Sequence, residues 1–277
     1  MKIYHRLDEF PPLPAAVATI GIFDGVHVGH QQLLNALKAQ RQTFQCATVV
    51  VTFWPHPTLQ LATSPKATLR LLNTFEEKAA LLEEQGVDCL LKIPFDAEFA
   101  KIRARDFVEH VLIDHVGVKH LVVGHDFHFG YKRIGDMKLL QEMGEQHRFT
   151  VQVAKANTVQ DRVASSTLIR QYLMQGAVAE ANRYLGYPYF LTCTVTRDSV
   201  THPPVQCLQL VSPDTPKLIP PPGIYGVNVL YRGTTHVGGK LYISQEPDTA
   251  HLAVSLPDFV IPPTERHLRV ALMTSRL

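Results

Sequence analysis

Cysteine is scarce in this chain of 277 residues: Cys46, Cys89, Cys193 and Cys207 lie far apart and form no C-x-x-C pair. That spacing argues against a disulfide framework. Cys46 and Cys89 fall in apolar, strand-like runs where a thiol behaves as a small hydrophobe, so reduced thiols in a cytoplasmic protein are expected. No run of about 18 or more apolar residues occurs, so no membrane-spanning segment is expected. The opening MKIYHRLDEFPPLP has no apolar core of a secretion signal, so no signal peptide is expected either. Charge of neither sign dominates: 27 Lys and Arg stand against 25 Asp and Glu, a formal +2. Such balance gives no reason to propose a nucleic-acid partner, although a local basic pocket for a small phosphorylated ligand stays open. No internal repeat is present.

What the chain does have is hydrophobic material, 45% of it, enough for one or two packed cores. The first two-thirds alternate apolar strands with helical patterns. AVATIGIF, CATVVVTF, DCLLKIPF, HLVVG and FTVQVAKA read as five strands. Between them come a helix from His30 to Gln40 and a helix in TFEEKAALLEEQG, with Thr74 as N-cap, Glu77 three residues on and Gly86 past its end. ARDFVEHVLIDHVG and DMKLLQEMGEQH follow as further helices, and SSTLIRQYLMQG and AVAEANRYLG as two short ones. Continuous apolar strands alternating with helices predict a parallel sheet with helices on both faces, an α/β domain. Near residue 187 the texture changes. Pro203, Pro204, Pro213, Pro216, Pro220, Pro221 and Pro222 crowd one segment, and GIYGVNVLY, KLYIS, AHLAVSL and LRVALM read as strands of a smaller all-β domain, residues 188–277.

One stretch, GIFDGVHVGH (21–30), places Gly21, Gly25 and Gly29 beside His27 and His30 where a strand runs into a helix. In an open parallel sheet, ligands bind at the carboxyl ends of the strands. A helix N-terminus there offers backbone N–H groups and a positive dipole end, and glycines let the backbone approach a ligand closely. Histidines donate to phosphate oxygens. The assembly reads as a triphosphate cradle without a covalent nucleophile. The G-K-[ST] ending of a P-loop is absent, as is a dinucleotide G-x-G-x-x-G. His27 and His30 could also be half of a zinc site, but no nearby Cys or acidic cluster completes it; a purely structural turn is the other reading.

GIFDGVHVGH resembles the G-x-F-D-G-x-H-x-G-H signature of the bacterial FAD synthetases, members of the wider HxGH nucleotidylyltransferases. FWPHP (53–57), VVGHDFHFGYKRIGD (122–136) and ASSTLIR (164–170) resemble three further motifs of that family, in order. The resemblance covers residues 15 to 187. It implies a Rossmann-like domain, residues 1–187, that joins FMN to the AMP of ATP, with FAD and pyrophosphate as products. In that scheme His27, His30 and Arg170 carry the chemistry. Gly21, Phe23, Gly25, Gly29, His56, Ser165, Ser166 and Thr167 hold ATP, and Asp126, Phe127 and Phe129 hold the flavin. Asp24 braces the turn. Read alone, Ser165 to Thr167 are an ordinary N-cap and Arg170 a solvated side chain, while Phe127 and Phe129 either stack on a ring or fill the core. Mg²⁺ is expected to arrive with ATP, with no protein ligand for it in view.

The resemblance fails in the last third. Relatives carry a riboflavin kinase barrel there, marked by a Gly-rich segment and G-F-P-T-A-N, whose Thr and Asn serve ATP and Mg²⁺. This chain has TRDSVTHPPVQCLQLVSPDTPK instead. A shortened, degenerate barrel without kinase activity is therefore expected, which leaves it flavin binding, packing on the first domain or self-association into a homo-oligomer. Two other readings stay open: a nucleotidylyltransferase with a different phosphorylated acceptor, and a non-catalytic flavin- or nucleotide-binding regulator.

Overall fold

The computed structural model describes residues 1–61, 69–155, 158–159, 162–198, 205–210, 215–246, 249–257, 261 and 268–274. Thr201, Pro203, Pro204, Pro213, Asp214 and Glu265 lie outside the described residues. Two compact units can be told apart, Met1–Leu69 with Lys78–Val163, and Arg70–Glu77 with Ala164–Leu277.

The first unit is built on a six-stranded parallel sheet. Its strands are β1 (Lys2–Tyr4), β2 (Ala16–Ile20), β3 (Ala47–Trp54), β4 (Cys89–Pro94), β5 (Val118–Val123) and β6 (Thr150–Val153), in the spatial order β1-β4-β3-β2-β5-β6. Every residue of β2 is buried, as a central strand covered on both faces requires. The five strands legible in the sequence are all present; β1 is an addition at the edge. Helix α1 (Val28–Phe44) buries Leu33, Leu34 and Leu37, and starts two residues earlier than the apolar period indicates, inside the glycine-histidine stretch. A short helix α2 (Pro57–Gln60) follows β3, and α3 (Phe75–Glu84) follows in turn. The Thr74–Glu77 capping box forms as expected, with the Glu77 amide donating to Thr74 Oγ1 at 3.2 Å and the Thr74 amide to Glu77 Oε2 at 3.0 Å. Helix α4 (Ala104–Asp106) continues as a π-helical stretch, Phe107–His115, and α5 (Met137–His147) is capped by Asp136, which accepts from Leu139 N at 2.9 Å. A core runs through this unit from Phe10 and Ile20 to Phe107, Leu121, Phe129 and Met143. A two-stranded ribbon, β7 (Thr158–Val159) with β8 (Arg162–Val163), ends it.

The second unit contains helices α6 (Ser166–Met174) and α7 (Val178–Leu185) and a closed antiparallel barrel. The barrel strands are β9 (Phe190–Asp198), β10 (Val205–Leu210), β11 (Gly223–Tyr231), β12 (Thr234–Glu246), β13 (Thr249–Ser255) and β14 (Leu268–Leu272), closing in the order β10-β13-β12-β11-β14-β9. Here burial alternates, every second residue of β14 and of β11 from Tyr225 onward facing inward, as a barrel wall requires. The segment 70–77 is fastened to this unit through a buried ion pair. Lys217 Nζ donates to Glu77 Oε2 at 2.5 Å and to the Leu72 carbonyl at 2.6 Å, while Thr192 donates to Glu77 Oε1 from its amide at 3.0 Å and its hydroxyl at 2.9 Å. All four cysteines are free thiols. Among the described residues no helix is long and apolar enough to cross a membrane.

Candidate active site

From β2 the chain proceeds outward to β3 and β4, then returns to place β5 on the opposite flank of β2. Such a reversal opens a crevice at the carboxyl ends of the two central strands, the usual ligand position in an open α/β sheet. The loop leaving β2 there is residues 21–27, with FWPHP leaving β3 on one side and GHDFHFG leaving β5 on the other. Three of the four motifs therefore issue from neighbouring strands at one edge. A groove of about 910 Å³ lies at the other edge, where the amino ends of β1, β3 and β4 meet Lys38 and Arg41, away from these loops.

The loop after β2 is tightly specified. Phe23, Gly25 and Val26 all have positive φ, at 53°, 86° and 34°. A left-handed Phe and a left-handed β-branched Val are costly by about 1–3 kcal/mol each, and such outliers concentrate at functional sites. Gly21 is packed closely: a Cβ there would stand 3.0 Å from the ring of Phe23, which is fully buried and would have to give by a few tenths of an ångström. Gln31 Nε2 holds the turn by donating to the Val26 carbonyl at 2.9 Å, and Thr52 Oγ1 donates to the Ile22 carbonyl at 3.3 Å. His27 is the N-cap residue of α1 and His30 lies in its first turn. Their rings stack at 3.7 Å between centroids, with Phe23 5.0 Å from His30. The Nδ1 of His30 is out of solvent and has no hydrogen-bond partner among the described residues. Burial above all, then positive charge on His27 and Lys78, pushes the His30 imidazole well below the ordinary histidine value, so it is neutral at pH 7. A neutral imidazole in this position is a hydrogen-bond donor rather than a fixed cation.

Lys78 and Asp24 complete this corner, 1% and 3% exposed. The Lys78 ammonium lies 5.1 Å from the centroid of the Trp54 ring, and burial pulls it from the ordinary 10.5 down to about 8 against the opposing influence of Asp24. Sequence reading passed over Lys78. The signal was its spacing, three residues after Phe75 and four before Leu82, which is the apolar face of α3 rather than its solvated one.

The remaining residues are placed as follows. His56 is the N-cap of α2, and its Nδ1 accepts from Thr58 N at 3.1 Å, which leaves Nε2 as the ring donor. Asp126 is exposed, and Phe127, half-buried, stacks on Phe129 at 5.4 Å. Phe129 is a core residue, packed on Phe107 at 5.8 Å and bridged to Gly135. Ser165 to Arg170 belong to the second unit. There Ser165 Oγ caps α6 by accepting from Leu168 N at 3.3 Å, and Arg170 Nε donates to the Arg70 carbonyl at 2.7 Å, which fixes the guanidinium rather than leaving it solvated. Among the described residues no three His, Cys, Asp or Glu side chains come together as metal ligands.

A family model described as FAD synthetase matches residues 11–168. The bifunctional riboflavin kinase/FMN adenylyltransferase of Escherichia coli (strain K12) is 34% identical over 272 residues, covering 97% of this chain and 86% of that one. Its counterpart from Pseudomonas fluorescens is 33% identical over 270 residues, covering 94% and 84%. Among solved structures, a macrolide-efflux protein from Streptococcus pneumoniae aligns with a TM-score of 0.87 at 22% identity, over 99% of this chain and 90% of that one, a likeness of fold alone. With its glycine-histidine loop at the switch point of a parallel sheet and a family match spanning that loop, this chain belongs to the FAD synthetase family.

Proposed function

We propose that this protein transfers the AMP moiety of ATP to FMN, forming FAD and releasing pyrophosphate. The observation that carries the reading is the His27–His30 stack on the strained loop at the switch point, in a chain of this family. A phosphate oxygen of FMN attacks the α-phosphorus of ATP, and the bond to the oxygen bridging the α- and β-phosphorus breaks. No covalent enzyme intermediate is needed; catalysis rests on alignment and on stabilising the charge that builds on the leaving pyrophosphate. His27 and His30 donate to the phosphate chain. Gly21, Phe23, Gly25 and Gly29 shape the loop against the nucleotide, and His56 contributes from its Nε2. Ser165, Ser166, Thr167 and Arg170 supply hydroxyls and a guanidinium to phosphate oxygens. Asp126 and Phe127 face the flavin, with Phe129 as the core support beneath Phe127. ATP enters as its Mg²⁺ complex, the metal held chiefly by phosphate oxygens.

Residues 1–187 carry this activity in our reading, and residues 188–277 are a kinase-like barrel without kinase function. The support is chemical: where a kinase needs close backbone N–H groups and an Asn beside a Thr, the sequence has THPPVQCLQL, and proline has no N–H to give. One experiment tests both halves. Pure protein is incubated with ATP, Mg²⁺ and either FMN or riboflavin, and products are separated by chromatography. FAD from FMN and no FMN from riboflavin are expected. No FAD, with turnover of another phosphorylated acceptor, refutes the first half; robust FMN formation refutes the second.

A further inference from the structure

We propose that Lys78 is an anion-binding residue of this site, its ammonium taking up a phosphate group of the nucleotide in the corner it shares with Asp24, His27 and His30. The proposal rests on the nucleotidyl-transfer reading above and adds to it a residue that none of the four motifs contains.

Lysine is almost never fully buried without a partner, because removing an ammonium from water is penalised heavily unless another charge or a set of acceptors replaces the hydration. Lys78 is 1% exposed, yet among the described residues its ammonium makes no hydrogen bond and no ion pair. Its contact is with the face of Trp54, at 5.1 Å. A cation over an indole recovers only part of what hydration supplied. Asp24 is the carboxylate that acts on Lys78, and it does so by charge alone. Against that one carboxylate, Lys78 and His27, whose ring stacks on that of His30, both oppose positive charge on His30. A corner so composed is short of negative charge. The chemistry that supplies it is a phosphate chain, for which an ammonium is a mobile point charge with three donors.

A purely structural reading fares worse. The position lies on the apolar face of α3, between Phe75 and Leu82, where a methionine would fill similar space without the burial penalty. A structural lysine in such a place is held by a carboxylate and carbonyls, as Lys217 is by Glu77 and Leu72 in the second unit. Lys78 has neither.

Lys78→Met and Lys78→Arg are compared with the unaltered protein by two measurements: calorimetric titration with inorganic pyrophosphate and with ATP, and thermal unfolding without ligand. K78M is expected to bind pyrophosphate at least about tenfold more weakly while melting at a higher temperature, since a buried unpaired charge has been removed. K78R, which keeps the charge, is expected to bind closer to the unaltered protein than to K78M. Unchanged pyrophosphate affinity in K78M overturns the proposal. So does a K78M protein that melts lower or fails to fold, because the lysine would then be structural, and so does K78R binding as weakly as K78M. If the unaltered protein binds neither ATP nor pyrophosphate, the nucleotidyl-transfer reading itself falls; if it binds both and K78M matches it, only the lysine does.

Discussion

Replacing Lys217 by methionine probes the buried ion pair of the second unit. Lys217 and Glu77 are 0% and 2% exposed at their side chains, so their pairing owes little to solvent and is little screened by salt. The ammonium that methionine removes also lies 4.5 Å from the Tyr189 ring centroid, while the apolar stem of similar length is largely kept, so the effect is mainly electrostatic. What remains is a buried carboxylate with three neutral donors, the amides of Thr74 and Thr192 and the hydroxyl of Thr192, and no cation. Breaking a buried pair from one side typically costs about 3–5 kcal/mol. The double variant Glu77→Gln, Lys217→Met removes both charges. Its amide nitrogen then confronts the Thr74 N–H, a single unsatisfied contact worth about 1–3 kcal/mol. The double variant should therefore be more stable than Lys217→Met alone. Calorimetric unfolding of wild type, both single variants and the double variant closes the cycle, with a coupling of about 3 kcal/mol or more expected from residues in direct contact. A loss below about 1 kcal/mol for Lys217→Met, or effects that simply add, would show that the pair does not fasten the 70–77 segment as described.

Two further outcomes follow from the first unit. His30→Ala should slow adenylyl transfer at least tenfold, up to the roughly 2.7–4 kcal/mol seen when one charge-stabilising donor is lost, with the melting temperature nearly unchanged; an unchanged rate constant removes His30 from the mechanism. The depressed Lys78 ammonium makes stability depend on pH. Between about 8 and 10.5 the unfolded chain keeps that proton while the folded chain has lost it, so stability should rise with pH across this window, by an order of 3 kcal/mol, and the rise should vanish in Lys78→Met.

How much of this was legible in the sequence depends on the range of the interactions involved. Helix α3 could be read with both its caps because Thr74 and Glu77 bond to each other three residues apart. Strands β2 to β5 could be read because burial on both faces writes itself as largely apolar runs. Strand β1 could not: its three residues, Lys-Ile-Tyr, carry no period, and only pairing with β4 makes them a strand. Strand β10 was hidden as well, since Gln206 is buried there by bonds to the distant Ile261 rather than by any local pattern. In the site, the motifs gave the loops and the structure adds their strain; in the second unit, the Glu77–Lys217 pair spans 140 residues and had no local signature. Lys78 was visible only as a charge at an apolar spacing.

Trp54 is the chain's one tryptophan, and it ends β3 directly beneath a lysine that gains and loses a proton near pH 8. The indole emission of the whole protein is therefore a single-point optical signal from the edge of the sheet where the three loops gather. Flavins absorb where indole emits, so an isoalloxazine held at that edge would drain the excited state and darken the protein as it binds. The barrel has no tryptophan of its own, so the molecule carries within its own fold a single fluorophore, seated at the strand ends of the first unit.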